Sequence, residues 1–178
     1  RLGITCYDKE LLSLAAKDSG FCEEILESND EKPTRSFLYS LVMDTYSMNH
    51  YSTAPFLDMP LNHKVFLAQF DTIKKIASEE SCVIVGRCAD YVLRNSANCL
   101  KVFFSAPLES RIKRVAQRQN ISEKEARAVV QKNEKLRADN YRYYTRRMWG
   151  AAGNFDLSLN TDLGEAYIES CIRSAMKL

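Results

Sequence analysis

Short apolar strands that alternate with helices most constrain the fold of this chain. CVIV at 82–85 and LKVFF at 100–104 both suit a fully buried strand, and a helical segment of roughly ten residues is predicted between them. DLSLN at 156–160 is a third short strand, and RLGITCYD at the start of the chain contains another. Buried strands that are separated by helices are typical of a parallel sheet covered on both faces. The pattern therefore predicts an α/β fold built on a parallel sheet.

Helical segments are marked by capping residues and by apolar residues at helical spacing. Asp8 is the predicted start of one helix, which ends at Gly20, and Ser105 is the predicted cap of another. SEKE at 122–125 is a capping box that opens a long polar helix running toward Asp139. Further helices are predicted over 36–48, 61–77 and 163–176.

Charge is unevenly distributed along the chain, although the formal net charge is only +2. Residues 1–62 carry five Lys and Arg against ten Asp and Glu, whereas residues 101–149 carry thirteen against five. Such a basic segment suits phosphates, nucleic acid or an acidic surface, and it is equally the pattern of a solvated helical face.

Cysteine usage and hydropathy bear on the compartment. The six cysteines are scattered without a C-x-x-C pair, which disfavours both a zinc site and a disulfide scaffold. No apolar run approaches the roughly 20 residues needed to span a bilayer, and the chain does not start with a signal peptide. His50 and His63 are too far apart in the sequence to indicate a metal pair. We therefore predict a cytoplasmic protein with no membrane partner and no metal held by its side chains.

An arginine directly after an apolar strand is the first functional signal. The strand CVIV runs into Gly86 and Arg87, and the chain then becomes helical. In open α/β sheets ligands bind beyond the carboxyl ends of the strands, which is where Arg87 is expected. Its planar, permanently charged guanidinium suits a phosphate or a carboxylate ligand. The alternative is that Arg87 pairs with a structural acid.

Two further groups of arginines follow along the chain. In LESRIKRVAQRQN the arginines are three and four residues apart, which places them along one stripe of a helix. They are Arg111, Arg114 and Arg118, while Leu108, Ile112 and Val115 form an apolar face predicted to pack on the sheet. In KLRADNYRYYTRRMWG arginines mix with aromatic residues, which suits a polyphosphate with a stacked base or single-stranded nucleic acid. This stretch holds Arg137, Arg142, Arg146 and Arg147 among Tyr141, Tyr143, Tyr144 and Trp149.

The arginines as a group favour phosphate chemistry. Phosphoryl transfer needs mainly positioning and neutralisation of charge on the moving oxygens, and arginines supply both. A mobile helical flap that carries arginines would also exclude water when it closes. The residue patterns alone therefore predict a phosphate-handling α/β protein.

The chain resembles the cytidylate-kinase-like family, relatives of the bacterial P-loop nucleoside monophosphate kinases, at VIVGRCADYVL, VFFSAPLESRIKRV and YYTRRMWGAAGNFDLSLNT. The resemblance runs over nearly the whole chain from GITCYDKELLSLAAKDSG onward. It implies a single domain over 1–178 with the three-layer α/β/α fold of P-loop kinases. A helical substrate-binding insertion is expected over about 20–80 and an arginine-bearing lid over about 111–149. The implied activity is phosphoryl transfer from ATP, with Mg²⁺, to a nucleoside monophosphate such as CMP or dCMP.

The same resemblance implies roles for particular residues. Arg87 of the Gly-Arg motif corresponds to the arginine that holds the phosphate of the acceptor, and Arg111 and Arg114 correspond to lid arginines that face the donor phosphates. The expected catalytic residues are Arg87, Arg111, Arg114 and Arg137. Binding of the acceptor is expected to involve Arg87, Asp90, Gln69, Lys64 and Arg142, and binding of ATP to involve Arg118 and Arg146.

Two features depart from the family pattern. Cytidylate kinases read G-R-D where this chain has Gly86, Arg87 and Cys88, and Asp90 is at best a partial substitute for the missing carboxylate. That departure bears on the preference for cytidine and not on phosphate binding. No stretch reads G-x-x-x-x-G-K-[ST], so we expect this phosphate loop and the first, central strand to precede Arg1. Without that strand its neighbours would keep unpaired backbone groups.

Two other functions stay open. A nucleotide sensor or degenerate kinase would keep Arg87 and the arginine lid, and it would bind nucleotide without turnover. A nucleic-acid-binding domain would use the basic aromatic stretch, and its affinity would fall steeply with salt. The family resemblance favours a small nucleotide over nucleic acid as the partner, and the sequence sets no oligomeric state.

Overall fold

A computed structural model describes residues 3–20, 27 and 61–176 of the 178-residue chain. These residues fall into two compact units. Unit 1 lies within Arg1–Asn95 and includes Tyr143–Thr145, and unit 2 comprises Ser96–Arg142 and Arg146–Leu178. The single domain over 1–178 stays a prediction. The helix predicted over 36–48 and most of the predicted insertion lie outside the described residues.

The described residues of unit 1 form two strands and three helices, besides a short piece of a further helix. Strand β1 (Thr5–Tyr7) leads into helix α1 (Glu10–Ser19). Helix α2 (Leu61–Glu79) precedes strand β2 (Cys82–Ile84), and the short helix α3 (Ala89–Val92) follows that strand. Tyr143–Thr145 complete the unit.

Unit 2 repeats the alternation of strand and helix. Strand β3 (Val102–Ser105) is followed by helix α4 (Leu108–Gln119) and helix α5 (Glu123–Thr145). Strand β4 (Leu157–Asn160) and helix α6 (Glu165–Met176) complete the unit. Single 3-10 turns flank β4, at Ala152–Asn154 and Thr161–Leu163.

The strands pair in parallel within each unit. Strand β1 pairs with β2, with Tyr7 opposite Ile84, and β3 pairs with β4, with Val102 opposite Leu157. The predicted parallel pairing is confirmed. Among the described residues, however, the strands form two two-stranded sheets in place of one continuous sheet.

Apolar side chains on both sheets remain open to solvent. Val83 and Val85 at β2 are 40% and 44% exposed, and Phe104 of β3 is 50% exposed. Strands of a parallel sheet that is covered on both faces bury such residues. The described residues therefore cover these two sheets only in part.

Each unit has its own apolar core. In unit 1, Leu12 and Ala15 of α1 pack against Val65 of α2. In unit 2, Ile112 of α4 packs against α5 in one cluster with Ala126 and Val130. The apolar face of α4, which the sequence predicts to lie on the sheet, thus forms a helical hairpin core with α5.

Local capping signals identified two helix ends correctly. Gly20 has left-handed backbone (φ +73°) and ends α1, as predicted. The side chain of Ser122 accepts a hydrogen bond from the backbone of Glu125, whose carboxylate accepts one in return from the backbone of Ser122. This capping box opens α5, which continues beyond Asp139 to Thr145.

Other boundaries differ from the prediction. Lys9, and not Asp8, occupies the cap position of α1, and Pro107, and not Ser105, occupies that of α4. The helix between β2 and β3 is shorter than predicted and spans only Ala89–Val92. Its start is delayed because the residues directly after β2 have left-handed backbone.

Candidate phosphate-binding site

Strand β2 ends in a turn that few sequences adopt. Gly86, Arg87 and Cys88 all have left-handed backbone, with φ of +74°, +48° and +56°. This geometry is ordinary for glycine, whereas it costs an L-residue with a side chain roughly 1–2 kcal/mol. Two successive non-glycine residues in this region indicate a conformation that the surrounding structure imposes, as happens at functional sites.

The Arg87 side chain lies against the ends of both strands of unit 1. Its Nη1 donates to Oδ1 of Asp8 at 2.5 Å and to the carbonyl oxygen of Val85 at 3.0 Å. The side chain of Arg87 is only 9% exposed, whereas that of Asp8 is 57% exposed. Arg87 thus lies just past the end of β2, as predicted, and it pairs with an acid, as the structural alternative expected.

Asp8 reaches Arg87 because β1 and β2 run side by side. The N–H of Val85 donates to the carbonyl of Tyr7 at 2.9 Å, which carries the pairing up to the residue before Asp8. The N–H of Asp8 donates to Oε2 of Glu10 at 3.1 Å. Hydrogen bonds from the backbone N–H groups of Glu10 and Asp8 lower the pKa of the Glu10 carboxyl. Asp8 therefore contacts Arg87 directly, and Glu10 in the first turn of α1 binds the backbone of Asp8.

Cys88 and Asp90 lie at the start of α3. Cys88 is 6% exposed and holds the cap position of that helix without a side-chain hydrogen bond to it. Its thiol is therefore buried. Asp90 is half-buried in the first turn of α3.

Helix α2 carries the two residues that were predicted to approach the nucleoside. Gln69 is 4% exposed and therefore does not lie on the solvent-facing side of the helix. Lys64 is half-buried. On the same helix His63 is buried, and its Nε2 lies 2.9 Å from the hydroxyl of Tyr143. Burial lowers the pKa of the His63 imidazole, which favours its neutral form.

Two of the predicted lid arginines are held by carboxylates within unit 2. Arg111 donates from Nη1 to Oε2 of Glu134 at 2.9 Å. Arg114 donates from Nη1 to the hydroxyl of Thr161 at 3.0 Å, and its Nη2 lies 3.4 Å from Asp162. All four charged side chains of these ion pairs are about a third or more exposed, so each pair stabilises the fold by at most about 1 kcal/mol.

The other predicted arginines lie along the same hairpin. Arg118 and Arg142 are exposed in the last turns of α4 and α5, where a positive charge suits the carboxyl end of a helix. Arg137 is exposed on α5, and Arg146 ends that helix with left-handed backbone (φ +59°). The predicted site residues therefore divide between the units. Unit 1 holds Lys64, Gln69, Arg87 and Asp90, and unit 2 holds Arg111, Arg114, Arg118, Arg137, Arg142 and Arg146.

The aromatic residues that alternate with these arginines are engaged in packing. Tyr144 is 5% exposed and its ring stacks on Phe66 with centroids 4.0 Å apart. Trp149 meets the ring of Phe103 edge-on at a centroid distance of 5.4 Å, and Tyr141 is buried. Single-stranded nucleic acids stack on exposed aromatic faces. Tyr141 and Tyr144 are buried and do not offer such faces, which argues against these two rings stacking on nucleic-acid bases.

Residues 3–20, 27 and 61–176 contain neither a metal-binding cluster nor a membrane-spanning helix. This part of the chain contains no group of three or more His, Cys, Asp or Glu placed to hold a metal ion. It also contains no helix that is long and apolar enough to cross a membrane.

Comparison with known proteins places the chain in a family. The model of the cytidylate kinase-like family matches residues 1–163. The chain belongs to the cytidylate kinase-like family. It is 31% identical over 105 residues to a cytidylate kinase of Sulfolobus acidocaldarius, an alignment that covers 58% of this chain and 55% of that protein. The chain thus spans about half the length of this curated relative.

A solved structure supports the same assignment of fold. The crystal structure of an uncharacterized protein from Eubacterium ventriosum is similar to this chain with a TM-score of 0.62 and 25% sequence identity. The similarity covers 79% of this chain and 89% of that one. A mixed α/β architecture with parallel strands is therefore common to both.

Three acids pair with predicted site arginines but are not themselves predicted as site residues from the sequence. Asp8 was interpreted as a helix cap, and Glu134 and Asp162 carried no motif. Glu134 is 23 residues from its partner Arg111. Only the pairing of α4 with α5 brings these two together, and only the parallel pairing of β1 with β2 brings Asp8 to Arg87. The available signal for Asp8 was its place directly after a strand.

Proposed function

We propose that the protein transfers a phosphoryl group from ATP to a nucleoside monophosphate, with CMP and dCMP as the first acceptors to test. Arg87 is the observation that carries this proposal. Its guanidinium lies beyond the carboxyl end of a parallel strand, is 9% exposed, and is supported by a backbone in an uncommon conformation. Membership of the cytidylate kinase-like family supports the same reading.

We propose for the whole protein the three-layer α/β/α fold of P-loop kinases, with a helical insertion and an arginine-bearing lid. The parallel pairing in both sheets and the TM-score of 0.62 support this fold. The six cysteines, scattered in the sequence without a C-x-x-C pair, support a reducing compartment.

Arg87 would hold the phosphate of the acceptor. A guanidinium presents planar N–H groups that match two phosphate oxygens, and burial strengthens such charge-assisted hydrogen bonds. A phosphate held there would be fixed in position relative to the sheet. Asp90 and the α2 residues Gln69 and Lys64 would contribute to recognition of the nucleoside.

The arginines of α4 and α5 would hold the donor phosphates. Arg111 and Arg114 are paired with exposed carboxylates, and a polyphosphate can replace these partners because each pair is weak. Further positive charge would come from Arg118, Arg137 and Arg146, whereas Arg142 would contribute to binding of the acceptor. Mg²⁺ is commonly held by substrate phosphates, so the ion would arrive with ATP and neutralise phosphate charge.

A coupled ADP-release assay tests the proposal. The intact protein is supplied with ATP, Mg²⁺ and a panel of CMP, dCMP and UMP. Wild type should turn over at least one acceptor, and Arg87→Ala should lower kcat/KM for that acceptor by about 100-fold or more because the phosphate loses its anchor. Arg127→Ala is the matched control, since Arg127 pairs with Glu109 at 2.8 Å on the surface of unit 2 and has no predicted role.

Two results would contradict the proposal, the first its role for Arg87 and the second the kinase activity itself. Full activity of Arg87→Ala would remove Arg87 from the site. Absence of turnover with every acceptor, together with nucleotide binding detected by calorimetry, would favour the second candidate, a nucleotide-binding sensor.

A further inference from the structure

We propose that Asp8 is the positioning residue for Arg87 and orients its guanidinium toward the phosphate of the acceptor. This inference rests on the proposed function and assigns a role in it to a residue outside the Gly-Arg motif. Asp8 would not react itself. It would act from the neighbouring strand, through Arg87.

The two residues meet because of strand pairing. Tyr7 and Ile84 are opposite each other in the parallel register, and the bond from Val85 N–H to the Tyr7 carbonyl extends the pairing by one step. Asp8 and Arg87 therefore both lie just past the carboxyl ends of adjacent parallel strands, at the same edge of the sheet. Ligands of parallel α/β sheets collect at this edge.

The two charges differ in burial, which indicates their roles. Arg87 is 9% exposed and Asp8 is 57% exposed. A cation that is nearly buried needs a hydrogen-bonded counter-ion to stay in place, whereas a half-exposed carboxylate is solvated and can stay without its partner. The pair therefore serves to hold Arg87 more than to hold Asp8.

The contacts of Arg87 fix the direction of its planar group. Both the bond to Asp8 and the bond to the Val85 carbonyl are donated by Nη1. Two acceptors on one nitrogen restrain one corner of the guanidinium and thus the plane in which its other N–H groups lie. An arginine restrained in this way binds a phosphate with less loss of side-chain freedom.

Asp8 is diverted from the role that its sequence position favours. Aspartate is a good helix cap, yet α1 has Lys9 at its cap position and no side-chain capping bond. The carboxylate turns to Arg87 instead. Cys88 cannot supply a carboxylate beside Arg87, since its side chain is a buried thiol.

Helix α1 also offers a matched control for the test. Asp18 pairs with Nζ of Lys75 at 2.9 Å, with both side chains well exposed. Removing this pair changes the same charge at the opposite end of α1 from Asp8, away from the end of β2. Asp8→Asn and Asp18→Asn therefore differ in location and not in chemistry.

Calorimetric titration without ATP measures the effect. The probes are CMP and cytidine, because the difference between their affinities isolates the contribution of the phosphate. Wild type and Asp18→Asn should prefer CMP equally. Asp8→Asn should bind CMP about 10-fold more weakly with its affinity for cytidine unchanged, and Asp8→Glu should recover part of the loss. Circular dichroism spectra of all variants verify that each is folded.

The possible outcomes separate the two proposals. CMP binding by Asp8→Asn that equals or exceeds that of wild type overturns the positioning role and leaves the proposed function standing. Equal losses of CMP affinity in Asp8→Asn and Asp18→Asn also overturn it. The losses would then come from removing a negative charge near either end of α1 and not from the contact with Arg87. If wild type prefers no monophosphate of the CMP, dCMP and UMP panel over its nucleoside, the acceptor site itself fails and the role of Asp8 fails with it.

Discussion

Arg87 and the arginines of α4 are held in two different ways. Arg87 is nearly buried at the end of β2, and its backbone is left-handed on a residue other than glycine. Arg111 and Arg114 project from a regular helix and pair with carboxylates while 31% and 51% exposed. One side chain is fixed by strand pairing and backbone conformation, and the others are restrained by weak surface pairs.

The difference indicates which arginines are prepared before a ligand arrives. A guanidinium restrained at the end of a strand needs little rearrangement, which is what an anchor for a small acceptor requires. Arginines in solvent-exposed pairs can exchange partners at little cost in stability. This is what a segment that closes over a donor requires.

The largest effect should come from Arg87→Lys compared with Arg114→Lys. A lysine keeps the charge but loses the planar fork, so Arg87→Lys should lower kcat/KM for the acceptor by about 100-fold. Arg114→Lys should lower it by about 10-fold or less, since an exposed, exchangeable contact tolerates a point charge better. Steady-state kinetics with varied acceptor measure both. Equal losses would show that the two settings do not differ in function.

The next effect is the dependence of protein stability on pH through His63, which lies on α2. Burial lowers the pKa of His63, so the unfolded chain binds a proton more readily than the folded protein. The stabilisation from neutral His63 is therefore present above about pH 6.5 and is lost as pH falls below that value, by at most about 1.4 kcal/mol per pH unit. Thermal melts of wild type and His63→Gln between pH 7.5 and 5.5 measure it. A wild-type Tm that falls no more steeply than that of the variant would contradict it.

The smallest effect should come from Glu134→Gln in unit 2. The substitution removes the partner of Arg111, but both side chains are well exposed, so unfolding free energy should fall by about 1 kcal/mol or less. Urea denaturation measures this difference in unfolding free energy between wild type and variant. A higher salt concentration should make the difference smaller, because salt screens the ion pair. A loss of several kcal/mol would mean that Arg111 is anchored as firmly as Arg87.

The sequence predicted the regular parts of the molecule well. The capping box at Ser122, the left-handed Gly20 and all four strands follow from local rules, because each depends on neighbouring residues. The chain also indicated that an arginine would lie just past the end of β2. Family membership followed from the motifs around that arginine and is confirmed by the family model.

The parts that were missed depend on contacts distant in sequence. Asp8 and Arg87 are 79 residues apart, so no local pattern could reveal that the predicted cap would pair with the predicted anchor. The left-handed backbone at Arg87 and Cys88 contradicts the usual preference of both residue types. Local rules expect a helix to begin there, which is why the helix after β2 was predicted too long.

The left-handed run from Gly86 to Cys88 has a consequence for the heat of binding. The left-handed region is narrow for residues that carry a side chain, so Arg87 and Cys88 have few alternative backbone states within the fold. An anion that reaches this loop would find it already ordered, and little entropy would be lost in arranging it. Association at this edge should then release heat without a large opposing entropy of loop ordering.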